Sequence, residues 1–100
     1  MKEVKVFVNL EKEEATIQVI RRVKLFDNPA KRFILEGDGG GFSAIEKRQD
    51  GYYFINYLRE RNVLGEWMLG TEKPIEERRL TEEETKKLMR RILKEKVSEG

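Results

Sequence analysis

Residues 36–57 read EGDGGGFSAIEKRQDGYYFINY and hold the side chains that could most readily do chemistry. Gly37-Asp38-Gly39-Gly40-Gly41 invites comparison with a phosphate cradle, in which converging amides lead into a helix N-terminus, as in GxGxxG or GxxxxGK[ST]. It matches neither spacing. The strand-like FSAIEK follows, and Asp38 would repel an anion. The pattern therefore predicts a flexible hairpin turn between strands at 33–36 and 42–48. The other use of adjacent glycines, a mobile loop whose backbone approaches a ligand closely, is the alternative.

Ser43 and Lys47 share one face of an extended strand, the arrangement of a Ser–Lys nucleophile pair, but no residue is evident to orient them. Glu36 and Asp38 would suit a divalent cation or acid–base work. With 19 acidic residues in the chain, such pairs arise incidentally. The reading is non-enzymatic, with no catalytic, cofactor-binding or metal-binding residues assigned.

A second constellation joins cations to aromatics. Arg21, Arg22, Lys31, Arg32 and Arg48 lie around an aromatic strand in which Tyr53 and Tyr57 share a face. Sheets bind single-stranded nucleic acid this way, stacking bases on aromatic rings while cations follow the phosphates. Against it, the formal net charge is only +2, and acids are dispersed among the cations. Lys86, Lys87, Arg90, Arg91 and Lys94 form another basic face, on a helix, which solvent and the helix dipole account for.

The 100 residues contain neither cysteine nor histidine, which excludes disulfides, thiolate nucleophiles, the usual zinc sites and an imidazole base. Abundant Lys and Glu beside few Gln also suit a thermophile. The opening MKEVKVFV lacks the form of a signal peptide, and no apolar run approaches the roughly 20 residues that span a bilayer. The expectation is a cytoplasmic protein without membrane contact.

The elements that must position these residues follow from period. Val4, Val6, Val8 and Leu10 alternate with Lys5, Phe7 and Asn9, and the same period returns over 15–26 through Ala15, Ile17, Val19, Val23 and Leu25. Two long antiparallel strands are predicted, with a bend, bulge or paired charge where Arg21 breaks the inward row. DNPA at 27–30 is a turn, and Asp50-Gly51 is a hairpin signal. YYFINYL is apolar on both faces, with Tyr52, Phe54 and Leu58 on one and Tyr53, Ile55 and Tyr57 on the other, so it is predicted to be a central strand covered twice. VLGEWMLG at 63–70 reads as a last strand.

Beyond Pro74, Thr81 and Glu84 form a capping box, and Leu88, Met89, Ile92, Leu93 and Val97 recur at helical spacing. Glu82 with Lys86, and Glu83 with Lys87, are favourably ordered pairs. The predicted fold is α+β: an antiparallel β-meander of five to six strands over 1–70, curled into a half-barrel in one form, a linker at 71–80, and an amphipathic C-terminal helix at 81–97 packed on a face. These make one domain of 1–100.

One helix covers one face, so the Tyr53, Ile55 and Tyr57 face calls for other cover. The first expectation is a small binding module acting by protein contact through those residues, as a homodimer or accessory subunit. The second is a single-stranded nucleic-acid binder using Arg21, Arg22, Lys31, Arg32, Arg48, Tyr53 and Tyr57.

Overall fold

A computed structural model describes residues 4–18 and 21–99, the last two as backbone only. The fold is α+β, with two antiparallel sheets followed by one helix. Strands β1 (Val6–Asn9), β2 (Glu14–Ile17) and β3 (Arg21–Lys24) form the first sheet in that order. Strands β4 (Arg32–Asp38), β5 (Gly41–Arg48), β6 (Gly51–Leu58) and β7 (Lys73–Leu80) form the second, again in chain order. Helix α1 runs Glu82–Glu99. None of the described helix is long and apolar enough to cross a membrane.

Three differences from the sequence reading stand out. The stretch 15–26 is two strands that reverse, with Ile17 opposite Arg21 and Ala15 opposite Val23. Gln18 at φ 53° begins that reversal, Arg21 is exposed, and Val19 lies outside the described residues. Residues 71–80 are mostly the strand β7, which pairs along β6, and not a linker. Residues 63–70 are a turn-rich excursion with one bridge, Arg61 opposite Trp67, and not a strand. There are thus more strands than the five to six expected, in two sheets instead of a single curled meander.

Period two holds along β6 from Tyr52 to Tyr57. Tyr52 and Phe54 face the main core, while Ile55 and Tyr57 are buried with Ala44 on the opposite face. Strand β6 is internal, paired with β5 on one side and β7 on the other. The main core gathers Val6, Ile17 and Phe26 from the first part of the chain, Phe33 and Ile45 from the second sheet, and Met89, Ile92 and Leu93 from α1. Helix α1 packs chiefly on β1 and also meets β4, β6 and β7, so one apolar stripe closes both sheets.

The helix starts where its cap demands. The Thr81 hydroxyl accepts from the Glu84 amide at 3.1 Å, and the Thr81 amide donates to Glu84 Oε1 at 3.0 Å. Thr85, fully buried, satisfies its own hydroxyl by donating to the Thr81 carbonyl at 2.8 Å. Lys86 pairs with Glu83, 3.8 Å away, instead of Glu82. Glu84 lies 3.4 Å from Arg78, tying the first turn to β7.

Candidate interaction surfaces

The outward face of the second sheet carries the residues that the sequence picked for binding. Its rows follow from the register: Arg32, Glu46, Tyr53 and Arg79 lie across four adjacent strands, and so do Ile34, Ala44, Ile55 and Glu77. Phe42 stands opposite Tyr57, and their rings stack at 4.8 Å with 23° between planes. Ala44 and Ile55 are 0% exposed and Tyr57 is 7% exposed, although no helix or strand packs on this face among the described residues.

Arginines supply the cover. The guanidinium of Arg32 lies 4.6 Å from the Tyr57 ring centroid, that of Arg48 lies 4.4 Å from Tyr53, and that of Arg59 lies 5.7 Å from Phe42. A planar cation placed over a ring gains from the ring quadrupole and shields its apolar face from water. Carboxylates knit the arginines together. Glu46 lies 3.7 Å from Arg32 and 2.9 Å from Arg48, and Glu77 lies 2.8 Å from Arg48.

The protonation chemistry of this face reflects that lattice. The hydrogen bond to Glu77 holds the Arg48 proton more firmly than usual. Burial pushes the Tyr57 phenol up, and donation to Asp50 Oδ2 at 2.6 Å raises Tyr53 while lowering Asp50. Arg32 Nε is shut from solvent without a hydrogen-bond acceptor, so its compensation comes from the ring beneath and the nearby Glu46.

Of the residues considered for nucleic acid, Arg32, Arg48, Tyr53 and Tyr57 meet on this face. Arg21 and Arg22 stand on β3 in the other sheet. Lys31 donates to Glu13 at 2.8 Å and lines a separate depression with Arg22, Lys24 and Glu14. The basic residues are therefore divided between two places. Tyr57 is buried beneath Arg32, while Tyr53 is half-buried with Arg48 over its ring.

The glycine hairpin has a different job from the one its composition suggested. Asp38 pairs with Gly41, leaving Gly39-Gly40 as a two-residue turn. A Cβ on Gly40 would come 2.9 Å from the Trp67 indole, one on Gly39 would come 3.2 Å from it, and one on Gly41 would strike the Tyr57 carbonyl. The glycines are there so that an indole and a neighbouring strand can press against backbone. Arg59 fastens the same turn, donating to the carbonyls of Asp38 at 2.7 Å and Gly39 at 3.2 Å.

Trp67 belongs to an arm, residues 60–71, that leaves the sheet between β6 and β7. Its backbone is ordered from within. Asn62 Oδ1 accepts from the amides of Leu64 at 2.9 Å and Glu66 at 3.0 Å, while the Met68 amide donates to the Glu60 carbonyl at 2.8 Å. Arg61 stacks over Trp67 at 4.2 Å. The apolar side chains point outward nonetheless: Leu64 is 79% exposed, Leu69 is 82% exposed, and Val63 is wholly so. Sequence alternation mistook this arm for a strand, and the missed signal was Asn62 with Gly65 and Gly70, both glycines at positive φ.

Between the arm and the hairpin lies an open groove of about 830 Å³, lined by Glu36, Phe42, Ser43, Asn56, Tyr57, Leu58, Trp67, Ile75 and the glycines. Ser43 donates to Asn56 Oδ1 at 2.5 Å, and Lys47 donates to Glu13 at 3.2 Å. The serine and the lysine are thus each committed elsewhere and do not bond one another. No cluster of acidic side chains able to hold a metal occurs among the described residues. The groove offers apolar contact with a few polar groups at its floor. No protein-family model, curated protein or solved structure matches this chain.

Proposed function

We propose that this chain is a non-enzymatic binding module that works by protein contact, using the Trp67 arm and the groove beside it. The observation that carries the reading is an internally hydrogen-bonded arm that holds Val63, Leu64 and Leu69 out in water. Isolated exposed apolar side chains are ordinary, but several carried on one short, internally hydrogen-bonded arm suit a contact surface. The surface lies beside the tyrosine face and not on it, because Ile55 and Tyr57 are already covered. A benzophenone side chain at position 64 should crosslink a discrete protein in cells, whereas one at exposed position 24 should not. Equal, diffuse labelling from both positions would count against the reading.

One observation favours a second reading, single-stranded nucleic acid on the outward sheet face. Guanidiniums already stack on Phe42, Tyr53 and Tyr57, the place a base would occupy, and a displaced arginine would be free to meet a phosphate. This reading predicts oligonucleotide binding whose logarithmic affinity falls as salt rises. Fluorescence anisotropy that stays flat at low salt would remove it.

A further inference from the structure

We infer that the protein bound by the Trp67 arm is a second copy of this chain. Two copies would meet about a twofold axis so that each lays Leu64 and Leu69 against the other's glycine-hairpin groove. The inference rests on the protein-contact reading above and adds the identity of the partner.

Surface area is the first argument. A compact monomer of 11.9 kDa exposes roughly 6,000 Å² by the area–mass relation, whereas this chain exposes 7292 Å². If each copy hid that excess, the pair would bury about 2,600 Å², within the range of obligate homodimers. Shape agrees. The radius of gyration is 15.1 Å, against about 13 Å for a compact domain of this length.

Where the excess lies is the second argument. The outer edge of β7 cannot extend its ladder into another sheet, because Pro74 lacks a donor, the register shifts between Asn56 and Tyr57, and charged residues follow. The exposed face of α1 carries Lys87, Arg91 and Lys94 interspersed with Glu83, Glu84 and Glu95, a charged surface of the kind depleted from the core of an interface. On the outward sheet face arginines cover the rings of Phe42, Tyr53 and Tyr57, and Ile34 is the exposed large apolar residue of its row. Exposed apolar residues elsewhere, such as Phe7 on β1 and Ile34 on β4, are single residues on separate strands, whereas the arm carries Val63, Leu64, Met68 and Leu69, in keeping with the apolar character of permanent homodimer interfaces.

Closure is the third. Arm and groove adjoin on one chain, with Trp67 common to both and Leu58 and Ile75 exposed at the groove. A twofold axis engages both reciprocally and leaves no arm free, the commonest way for identical chains to close.

Sedimentation equilibrium on the whole chain tests this, together with acrylamide quenching of Trp67, the only tryptophan. The expected result is twice the chain mass, with Trp67 emission changing as the dimer dilutes. The L64E/L69E double variant should dissociate at least ~100-fold more readily while its far-ultraviolet circular dichroism is unchanged. V63E, at a fully exposed position, should weaken association in the same direction and serves if the double variant misfolds. A dimer equally tight in both variants would overturn the inference. A wild-type monomer at high concentration would also overturn it. If the benzophenone at position 64 then crosslinks a different discrete protein, the protein-contact reading stands without the dimer; if it labels nothing discrete, that reading falls as well.

Discussion

Gly40 and Trp67 are fitted to each other: a Cβ on the glycine would lie 2.9 Å from indole Cζ2 and 3.1 Å from Cε2. The hairpin that looked like a phosphate loop is the seat of the arm. Arg59 bonds to both sides of that seat, since its guanidinium donates to the Asp38 carbonyl while its amide donates to the Gly40 carbonyl. The position of the apolar tip thus depends on backbone contacts that only glycine permits.

Gly40→Ala should therefore unseat Trp67. The expected cost is roughly 1–3 kcal/mol, typical of overpacking a close contact. Urea denaturation followed by Trp67 emission would show both the lost stability and an altered native spectrum. Gly65→Ala is the control. Nothing lies within 4 Å of its Cβ, but φ is +81°, so it should cost about 1–2 kcal/mol through backbone strain and leave the native spectrum alone.

Arg32→Ala should expose Tyr57. The loss of a stacked guanidinium 4.6 Å from the ring is expected to cost roughly 1–2 kcal/mol in chemical denaturation. Arg32→Lys should recover less than half of that, because an ammonium keeps the charge but not the planar cover. Equal stability of the lysine variant and the wild type would mean that charge, not shielding, is what Arg32 contributes.

Glu13 joins the sheets through Lys31 and Lys47, and the Lys31 hydrogen bond, followed by that from Lys47, holds its carboxyl below its ordinary 4.5. A carboxyl depressed on folding contributes stability that is present above its unfolded value and is lost as pH falls through its folded value. Stability should accordingly decline on acidification below about pH 4.5. Glu77, bonded by Arg48, and Glu84, bonded by the Thr81 amide, are lowered too and share that decline. Glu13→Gln should be less stable at neutral pH and show a shallower acid limb. A limb as steep as the wild type's would place the acid sensitivity elsewhere.

Thr81→Ala removes one half of the reciprocal cap and should cost about 1 kcal/mol, with Thr81→Ser close to neutral. On a chain of this size, 1 kcal/mol corresponds to a melting shift of roughly 4–8 °C, readable by circular dichroism.

Several elements were legible because their information is local. The capping box and the apolar stripe of α1 specify a helix whatever it packs on, and the two-faced alternation of residues 52–57 specifies a strand with neighbours on both sides. The reversal after Ile17 was not legible, and the reason is parity. Antiparallel pairing of Ile17 with Arg21 keeps odd-numbered residues on the inward face before and after the turn, so a hairpin and one long strand produce the same alternation. Strand β7 escaped for another reason. All but its last residue are exposed, so no buried face imprints a period, and its extended form comes from pairing with β6.

The chain's own residues determined which chemistry is excluded, where the helix starts, and that Tyr53, Ile55 and Tyr57 share a face. Only tertiary structure decided what covers that face, because Arg32, Arg48 and Arg59 come from separate strands and strand ends and reach the rings once the sheet has assembled. It likewise decided that the glycines seat Trp67. Steric fit between residues 27 positions apart is set by where the sheet carries each of them, and no periodicity along the chain encodes it.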